Sequence, residues 1–201
     1  MKIGILGTGN MATTLGGAWT RAGHDVLVGG RSTGTLRTAA RHGELVLFAV
    51  PAPAAPTLAA DLADVLAGRI VLDCTNPVGP GPDGPMLTVP PGSSIAAQIA
   101  TAAPGAAVVK AFNVCHASIW TLDPPAFEGL PLTVPFCAST PAAGEQVAAL
   151  IASMGCTPAP CGGLARAPYL EATAALAIGV WFAGGAARGI FPEPAQVQAQ
   201  S

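Results

Sequence analysis

The chain opens with Met1-Lys-Ile-Gly-Ile-Leu-Gly7-Thr-Gly9-Asn-Met-Ala12 and continues to Val28-Gly-Gly-Arg-Ser32. The apolar run from Ile3 to Leu6 is typical of a buried strand, and it leads into a tight Gly-x-Gly-x-x-Ala turn. A helical segment that ends before Gly23 and a second apolar run at residues 26–28 complete a βαβ unit. This order of elements is the fingerprint of a fold that binds dinucleotides.

The small residues of this turn predict where a pyrophosphate binds. Gly7 permits the turn, Gly9 lets the backbone approach the phosphates without a Cβ in the way, and Ala12 is small enough for the helix to lie close to its strand. The N–H groups of the first helical turn then point at the phosphates. We therefore expect a dinucleotide at the end of the first strand.

The segment after the second strand predicts which dinucleotide binds. Chains that bind NAD usually carry Asp or Glu there for the ribose hydroxyls, whereas this chain has Gly30-Arg31-Ser32-Thr33. Arg31 can pair with a 2′-phosphate, and the hydroxyls of Ser32 and Thr33 can donate hydrogen bonds to it. Arg37 would add positive charge. The pattern predicts NADP(H) rather than NAD(H).

Composition excludes several classes of partner. The 201 residues are 51% hydrophobic and 10% charged, with a net charge of −2, which is too neutral for a nucleic-acid binder. The longest uncharged apolar stretch near the C-terminus, residues 172–187, has about sixteen residues, fewer than the roughly twenty that a membrane helix needs. We expect no nucleic-acid partner, no membrane span and, because the N-terminus is not a signal peptide, a cytoplasmic location.

The cysteines and histidines form no recognisable metal-binding pattern. The cysteines are odd in number and match no zinc spacing, so we expect reduced, mostly buried thiols at Cys74, Cys115, Cys137, Cys156 and Cys161. The three histidines, His24, His42 and His116, are isolated from one another in the sequence. No metal site is proposed.

Apolar segments continue to alternate with Pro- and Gly-rich stretches after the first unit. Strands are predicted at residues 44–50, 69–73, 107–112, 132–137 and near 157, and helices at residues 54–66, 93–103 and 141–154. Residues 78–92 are expected to form a loop that could act as a lid beside the carboxyl ends of the strands. A long apolar helix is predicted over residues 164–187, and residues 192–201 are expected to be a frayed tail.

The interval between Arg31 and Glu44 is too short for the usual third strand and its crossover. We therefore predict an α/β fold, a Rossmann-type doubly wound and mostly parallel sheet, with a short or missing third strand and a C-terminal apolar helix. Residues 1–201 are treated as a single NADP-binding Rossmann-like domain. The helix at 164–187 is rich in Ala and Gly, so it could lie close to its twin across a homodimer interface.

Six short stretches between Lys2 and about Gly185 carry a resemblance to a known family: Gly7-Thr-Gly-Asn-Met11, Val28-Gly-Gly-Arg31, Leu47-Phe-Ala-Val-Pro51, Asp73-Cys-Thr-Asn-Pro77, Val109-Lys-Ala-Phe-Asn113, and Gly162-Gly-Leu-Ala-Arg166 with Leu170-Glu171. They resemble the NADP oxidoreductases that depend on coenzyme F420, a deazaflavin. The fifth stretch is also similar to the cytosolic domains of membrane ferric reductases.

The resemblance implies a set of cofactor-binding residues at the carboxyl ends of the strands. The pyrophosphate would be held by Thr8, Gly9, Asn10 and Met11, and the 2′-phosphate by Gly30, Arg31 and Ser32. The ribose and the nicotinamide would be lined by Val50, Pro51, Ala54 and Asn76. The segment from Asn113 to Ala117 would face the nicotinamide and its acceptor.

The resemblance also implies the chemistry, which is hydride transfer between C4 of the nicotinamide and C5 of the deazaflavin, with coenzyme F420 or a flavin as co-substrate. Two alternatives stay open. The chain could be an NADPH-dependent reductase of a small imine or carbonyl in a biosynthetic pathway, or a non-catalytic redox sensor that binds NADP(H). The acceptor-dependent oxidation of NADPH separates the sensor from both enzymes.

Four further side chains have a possible function beside a structural one. His116 follows a strand end and could donate a proton to a substrate, or simply bond within a turn. Asn113 could bind the carboxamide of the nicotinamide or the acceptor, or shape a turn. Lys110 is expected at the surface, and Glu171 is expected to have a structural role, paired with Arg166 or with a partner chain.

Overall fold

The computed structural model describes residues 1–30 and 35–187. Its strands are β1 Lys2–Leu6, β2 Asp25–Gly29, β3 Leu45–Phe48, β4 Ile70–Asp73, β5 Val78–Gly81, β6 Gly84–Leu87, β7 Ala107–Ala111, β8 Ala126–Phe127, β9 Leu130–Pro131, β10 Thr133–Ala138 and β11 Thr157–Gly163. Its helices are α1 Asn10–Arg21, α2 Leu36–His42, α3 Ala55–Asp61, α4 Ala63–Leu66, α5 Ile95–Ala102, α6 Pro141–Ser153 and α7 Ala167–Phe182. Arg31, Ser32, Thr33 and the predicted tail at 192–201 lie outside the described residues.

Seven strands form one sheet in the order β11-β10-β7-β4-β3-β1-β2. The five strands from β2 to β7 in that order are parallel, β10 runs antiparallel to β7, and β11 is parallel to β10. In the described part of the connection from β2 to β3, the one element is α2, and β2 lies at the edge of the sheet. The predicted Rossmann-type sheet without its usual third strand is therefore confirmed.

The register brings the carboxyl ends of the parallel strands to one edge of the sheet. Leu6 lies opposite both Gly29 and Phe48, Phe48 lies opposite Asp73, and Asp73 lies opposite Lys110. The residues that follow these positions therefore meet along a single line. In open sheets of this kind, ligands bind at this edge.

Apolar residues cover both faces of the sheet, as expected for parallel strands buried between two layers of helices. In β3, Leu45 and Leu47 face the layer that contains α1 and α6, whereas Val46 and Phe48 face the layer that contains α2, α3 and α5. This alternation follows from the two-residue period of a strand. Among the described helices, none has the combination of length and apolarity that a bilayer span requires.

Two segments depart from the secondary structure expected of them. Residues 78–92 are not a simple loop, because β5 and β6 form an antiparallel hairpin that contacts α7. Its turn contains Pro82-Asp-Gly84, with Gly84 at φ +116°, a conformation that glycine adopts without strain. The helix expected over 54–66 is interrupted at Leu62, where α3 ends and α4 begins.

The last helix is shorter than residues 164–187. A 3-10 turn occupies Leu164–Arg166, and α7 begins at Ala167 with Pro168 in its first turn, where a missing N–H is tolerated. The helix ends at Phe182 because Gly184 takes a left-handed conformation, with φ +76°, and the Gly185 N–H bonds back to the Val180 carbonyl.

All five cysteines are free thiols. Cys74, Cys137 and Cys156 are buried, and Cys115 and Cys161 are partly buried, in agreement with the expectation from the sequence. Burial raises the pKa of Cys74 to about 12, so its thiol stays protonated at neutral pH.

Candidate functional site

The two glycines of the first turn differ in the space around them. Gly7 has φ +129°, and a Cβ there would lie 2.1 Å from the carbonyl oxygen of Ala49, so the fold itself requires glycine. A Cβ on Gly9 would meet no atom within 4 Å. The fold therefore does not require glycine at position 9, and the open space beside this residue is available to a ligand.

Helix α1 presents its amino-terminal end beside this space. Among the described residues, no side chain caps the first turn of α1, and the turn itself contains no acidic residue. The free N–H groups of a helix start carry partial positive charge and favour a bound anion. The turn from Gly7 to Met11 therefore fits the pyrophosphate of a dinucleotide.

An open cleft of about 780 Å³ begins at this turn and follows the ends of β1, β2 and β3. It is lined by Gly7, Thr8, Gly9, Gly30, Leu36, Ala49, Val50, Pro51, Ala54, Thr57, Leu58 and Asp61. The structure thus brings seven of the predicted cofactor-binding residues to one cleft: Gly7, Thr8, Gly9, Gly30, Val50, Pro51 and Ala54. Asn10 and Met11 belong to the adjoining first turn of α1.

Arg37 does not supply free positive charge to the cleft. Its guanidinium lies 2.7 Å from a carboxylate oxygen of Asp64, and it also donates a hydrogen bond to the Asp61 carbonyl. The ion pair with Asp64 leaves this guanidinium less available to a 2′-phosphate than the sequence indicated. Arg31 and Ser32, the other residues expected there, are outside the described part of the chain.

Asn76 and Asn113 contact each other where β4 and β7 end. The side-chain amide of Asn76 donates to the Asn113 carbonyl at 2.7 Å, and the amide of Asn113 donates to the Asn76 side-chain oxygen at 2.9 Å. Asn113 also donates to the carbonyl of Leu170 in α7, at 3.0 Å. Asn76 was expected to line the nicotinamide and Asn113 to bind its carboxamide or the acceptor, and the structure joins the two in one amide pair.

Beneath the amide pair lies a buried ionic cluster of Lys110, Asp73 and Glu171. The Lys110 ammonium is 2.8 Å from each carboxylate, and all three side chains are fully buried. The expectation that Lys110 is a surface residue is therefore wrong, and Glu171 pairs with Lys110 rather than with Arg166. A charge removed from water requires such a partner.

Burial and the neighbouring charges shift the pKa values of Lys110 and Glu171. Burial alone would lower the pKa of Lys110, but Asp73 and Glu171 outweigh it and hold that pKa above its usual range. Burial raises the pKa of Glu171, against the lowering effect of Lys110, and Asp73 adds to the rise. The N–H of Ile95, at the start of α5, donates to both oxygens of Glu171, at 3.0 and 3.3 Å.

An aromatic contact fixes the backbone just before Asn113. Phe112 has φ +63°, a left-handed conformation that is uncommon for a bulky residue and often occurs at functional sites. Its ring makes edge-to-face contacts with Trp19 at 5.7 Å and with Trp120 at 5.2 Å between ring centroids. These contacts hold the chain as it turns out of β7 toward Asn113.

His116 lies in the exposed turn that follows. Its Nδ1 is 2.9 Å from the Ser118 hydroxyl, and it accepts from the Ser118 N–H at the start of the 3-10 turn Ala117–Thr121. This is the turn-forming arrangement that the sequence left open. Ala117, expected near the nicotinamide, is the first residue of the same turn.

Sequence reasoning missed the ionic cluster, although a signal for it was present. Lys110 and Asp73 stand in continuous apolar strands, and Glu171 stands in an apolar helix. Charged residues in segments that must be buried have to pair with one another. That rule could have grouped the three, because β4 and β7 were both expected in the sheet.

Comparison with known proteins identifies similar chains. Residues 2–41 match the family model described as NADP oxidoreductase coenzyme F420-dependent. A protein from Arthrobacter sp. FB24, provisionally assigned as an F420-dependent NADP-reductase, is 30% identical, with a TM-score of 0.81 over 92% of this chain and 96% of that chain. The hypothetical protein SMa0349 from Sinorhizobium meliloti is 26% identical, with a TM-score of 0.71 over 84% of this chain and 88% of that one.

A longer protein is also similar. Metalloreductase STEAP3 of Rattus norvegicus is 32% identical over 185 residues, which are 85% of this chain. The chain spans 36% of the length of that relative. The similarity therefore concerns about a third of the metalloreductase and carries no statement about the rest of it.

The contrast between Gly9 and Gly7 leads to a test of the nucleotide site. We expect Gly9→Ala to keep the melting temperature of the wild type and to weaken NADPH binding by about tenfold or more, because the new methyl group occupies the space of the phosphates. Gly7→Ala should instead lower the melting temperature, since its Cβ collides with the backbone of Ala49. Thermal unfolding and calorimetric titration measure the two effects; unchanged NADPH affinity in Gly9→Ala would contradict this site.

Proposed function

The chain belongs to the family of coenzyme F420-dependent NADP oxidoreductases, and we propose that it transfers a hydride between NADP(H) and a deazaflavin such as coenzyme F420, or a flavin. The observation that carries the proposal is the open space at Gly9, which lies between the uncapped start of α1 and the cleft along the strand ends. Both features suit a long cofactor that carries a pyrophosphate.

Each part of the cofactor has a proposed contact along the edge of the sheet. The pyrophosphate lies against Thr8, Gly9, Asn10 and Met11, and the 2′-phosphate lies beside Gly30, Arg31 and Ser32. Val50, Pro51 and Ala54 line the path toward the amide pair, where Asn76 and Asn113 border the nicotinamide. This order follows the sequence of strand ends from β2 through β1 and β3 to β4 and β7.

The protein's own contribution is to position the reactants. When bound, the nicotinamide and the deazaflavin supply the two carbon atoms between which the hydride moves. Asn113 is proposed to orient one of the two rings, since its side chain is itself held by Asn76 and Leu170. His116, exposed in the turn after β7, is proposed as a proton donor for an acceptor other than a deazaflavin.

An assay with several acceptors in parallel tests the proposed reaction. Loss of NADPH absorbance is followed with coenzyme F420, with FMN and with a small cyclic imine. We expect turnover with the deazaflavin or the flavin and little with the imine. Turnover with the imine alone, lost in His116→Ala, would instead identify a small-substrate reductase. NADPH binding without turnover on any acceptor would identify a redox sensor.

The charge of Arg31 is proposed to select the phosphorylated cofactor. Arg31→Glu replaces an attractive charge by a repulsive one, so the preference for NADPH over NADH, measured as the ratio of kcat/KM values, should fall by about tenfold or more. Arg37→Gln is the matched control, because that guanidinium is already engaged by Asp64, and its ratio should stay near that of the wild type. An unchanged ratio in Arg31→Glu would contradict the role of Arg31.

A homodimer through α7 is proposed as the assembly. Four large apolar side chains of this helix are exposed, Tyr169, Leu176, Trp181 and Phe182, and the helical period puts Tyr169 and Leu176 on one face. The sequence of the helix is otherwise rich in small residues that allow a second helix to approach closely. A twofold-related copy would cover Tyr169 and Leu176 with its own.

Sedimentation velocity tests this assembly. We expect a dimer for the wild type and a monomer for Leu176→Glu, because the added charge would be buried against the partner helix. Gln146→Glu, on the exposed face of α6, is the control and should leave the dimer intact. A monomeric wild type would rule out the dimer.

A cytoplasmic location is proposed on the chemistry of the thiols. The five cysteines are free in the structure, and thiols persist in that state in reducing compartments. NADPH, the expected reductant, belongs to the same reducing environment. In an oxidising compartment, the partly accessible thiol of Cys161 would be open to oxidation.

A further inference from the structure

The ionic cluster is connected to the amide pair by two separate routes. The first route passes through Thr75. The Lys110 ammonium donates to the Thr75 carbonyl, and the Thr75 N–H donates to Asp73 at 2.8 Å. Both backbone groups of Thr75 are therefore held by the cluster. The next residue is Asn76, whose side chain bonds to Asn113 in both directions.

The second route passes through α7. Glu171 bonds to Lys110 at 2.8 Å, and it also accepts the N–H of Ile95 at the start of α5. This fixes α7 to the sheet at Glu171. The preceding residue is Leu170, whose carbonyl accepts the hydrogen bond of the Asn113 amide. Lys110 thus bonds to Thr75 and to Glu171, and each of these adjoins a residue, Asn76 or Leu170, that holds the Asn113 side chain.

The partners of Asn113 determine which way its amide points. Its nitrogen lies 2.9 Å from the Asn76 side-chain oxygen and 3.0 Å from the Leu170 carbonyl. The Leu170 carbonyl can only accept a hydrogen bond, so the nitrogen must face it. The side-chain oxygen of Asn113 then points away, and among the described residues it has no hydrogen-bond partner.

We propose that Lys110 is a positioning residue, whose ammonium fixes the orientation of the Asn76–Asn113 amide pair through the Thr75 carbonyl on one side and through Glu171 and α7 on the other. Its effect on catalysis rests on the proposed function, in which the amide pair borders the nicotinamide. The geometry of the pair itself does not depend on that function.

Stability alone gives a poor account of this cluster. Buried ion pairs and triads can often be replaced by apolar residues of similar volume without loss of stability, because the removal of charges from water offsets their attraction. Such a cluster does fix the geometry of the groups that it holds, and here Thr75 and Glu171 each adjoin a residue, Asn76 or Leu170, that accepts a hydrogen bond from Asn113. A displacement of even about 1 Å at a reacting centre can cost on the order of a hundredfold in rate.

The ligand-free protein tests the positioning without any assay of turnover. In nitrogen-15 spectra, with the Asn113 amide assigned by its loss in Asn113→Ser, the wild type should show two dispersed and slowly exchanging side-chain protons. Lys110→Met should move both toward the values of a free asparagine. Because Lys110→Met leaves two buried carboxylates without a cation, Lys110→Met combined with Glu171→Gln is measured as well, with the same expected result.

A milder variant separates the two routes. Glu171→Gln keeps the shape of the side chain and leaves Asp73 with Lys110, so it should shift the Asn113 proton that faces Leu170 more than the proton that faces Asn76. Ile70→Ala, a buried truncation at the opposite end of β4, is the control for a general loss of stability and should shift neither. Rapid exchange of the amide in the wild type, or unchanged signals in all the cluster variants, would overturn the proposal.

Kinetics then relate the positioning to the reaction. In the folded cluster variants, kcat should fall by about tenfold or more while the KM for NADPH stays within about twofold, because the cofactor still binds but is less well oriented. Ile70→Ala should leave both constants near those of the wild type. If the wild type oxidises no NADPH with any acceptor, the proposed function fails, while the amide signals still decide on the positioning.

Discussion

Two glycines of the first βαβ unit, Gly4 and Gly7, allow β1 to lie in close backbone contact with α2 and with the end of β3. A Cβ on Gly4 would lie 2.0 Å from the carbonyl oxygen of Ala39 in α2, and a Cβ on Gly7 would lie 2.1 Å from that of Ala49 after β3. With glycine at both places, β1 occupies its position between β2 and β3. The turn after β1 therefore meets the ends of both neighbours, and the cleft forms where these backbones diverge.

At the ends of β4 and β7, the binding edge of the sheet is built from charged and polar groups instead of glycines. Lys110, Asp73 and Glu171 connect β7, β4 and α7 in the interior, and the asparagine amides lie directly beyond them. The site thus has two chemically different parts. One is an open cleft with backbone N–H groups suited to phosphates, and the other is a fixed pair of amides suited to a ring that must be oriented.

The sequence predicted the sheet well because its signals are local. Continuous apolar runs marked the parallel strands, and the short interval between Arg31 and Glu44 indicated that the third strand was missing. The burial of Lys110 was not predicted, because it depends on a pairing with Glu171, which lies in another element far along the chain. The engagement of Arg37 by Asp64 was missed for the same reason. A helix boundary such as Phe182 depends on the conformation of Gly184, which pattern alone does not specify.

A crystal structure of the protein with NADP⁺ bound is the most direct test of the account. We expect the pyrophosphate against the turn from Gly7 to Met11 and the nicotinamide beside Asn76 and Asn113. A dinucleotide bound elsewhere, for example in the smaller cleft between Arg21 and Pro125 at the carboxyl end of α1, would contradict this binding mode.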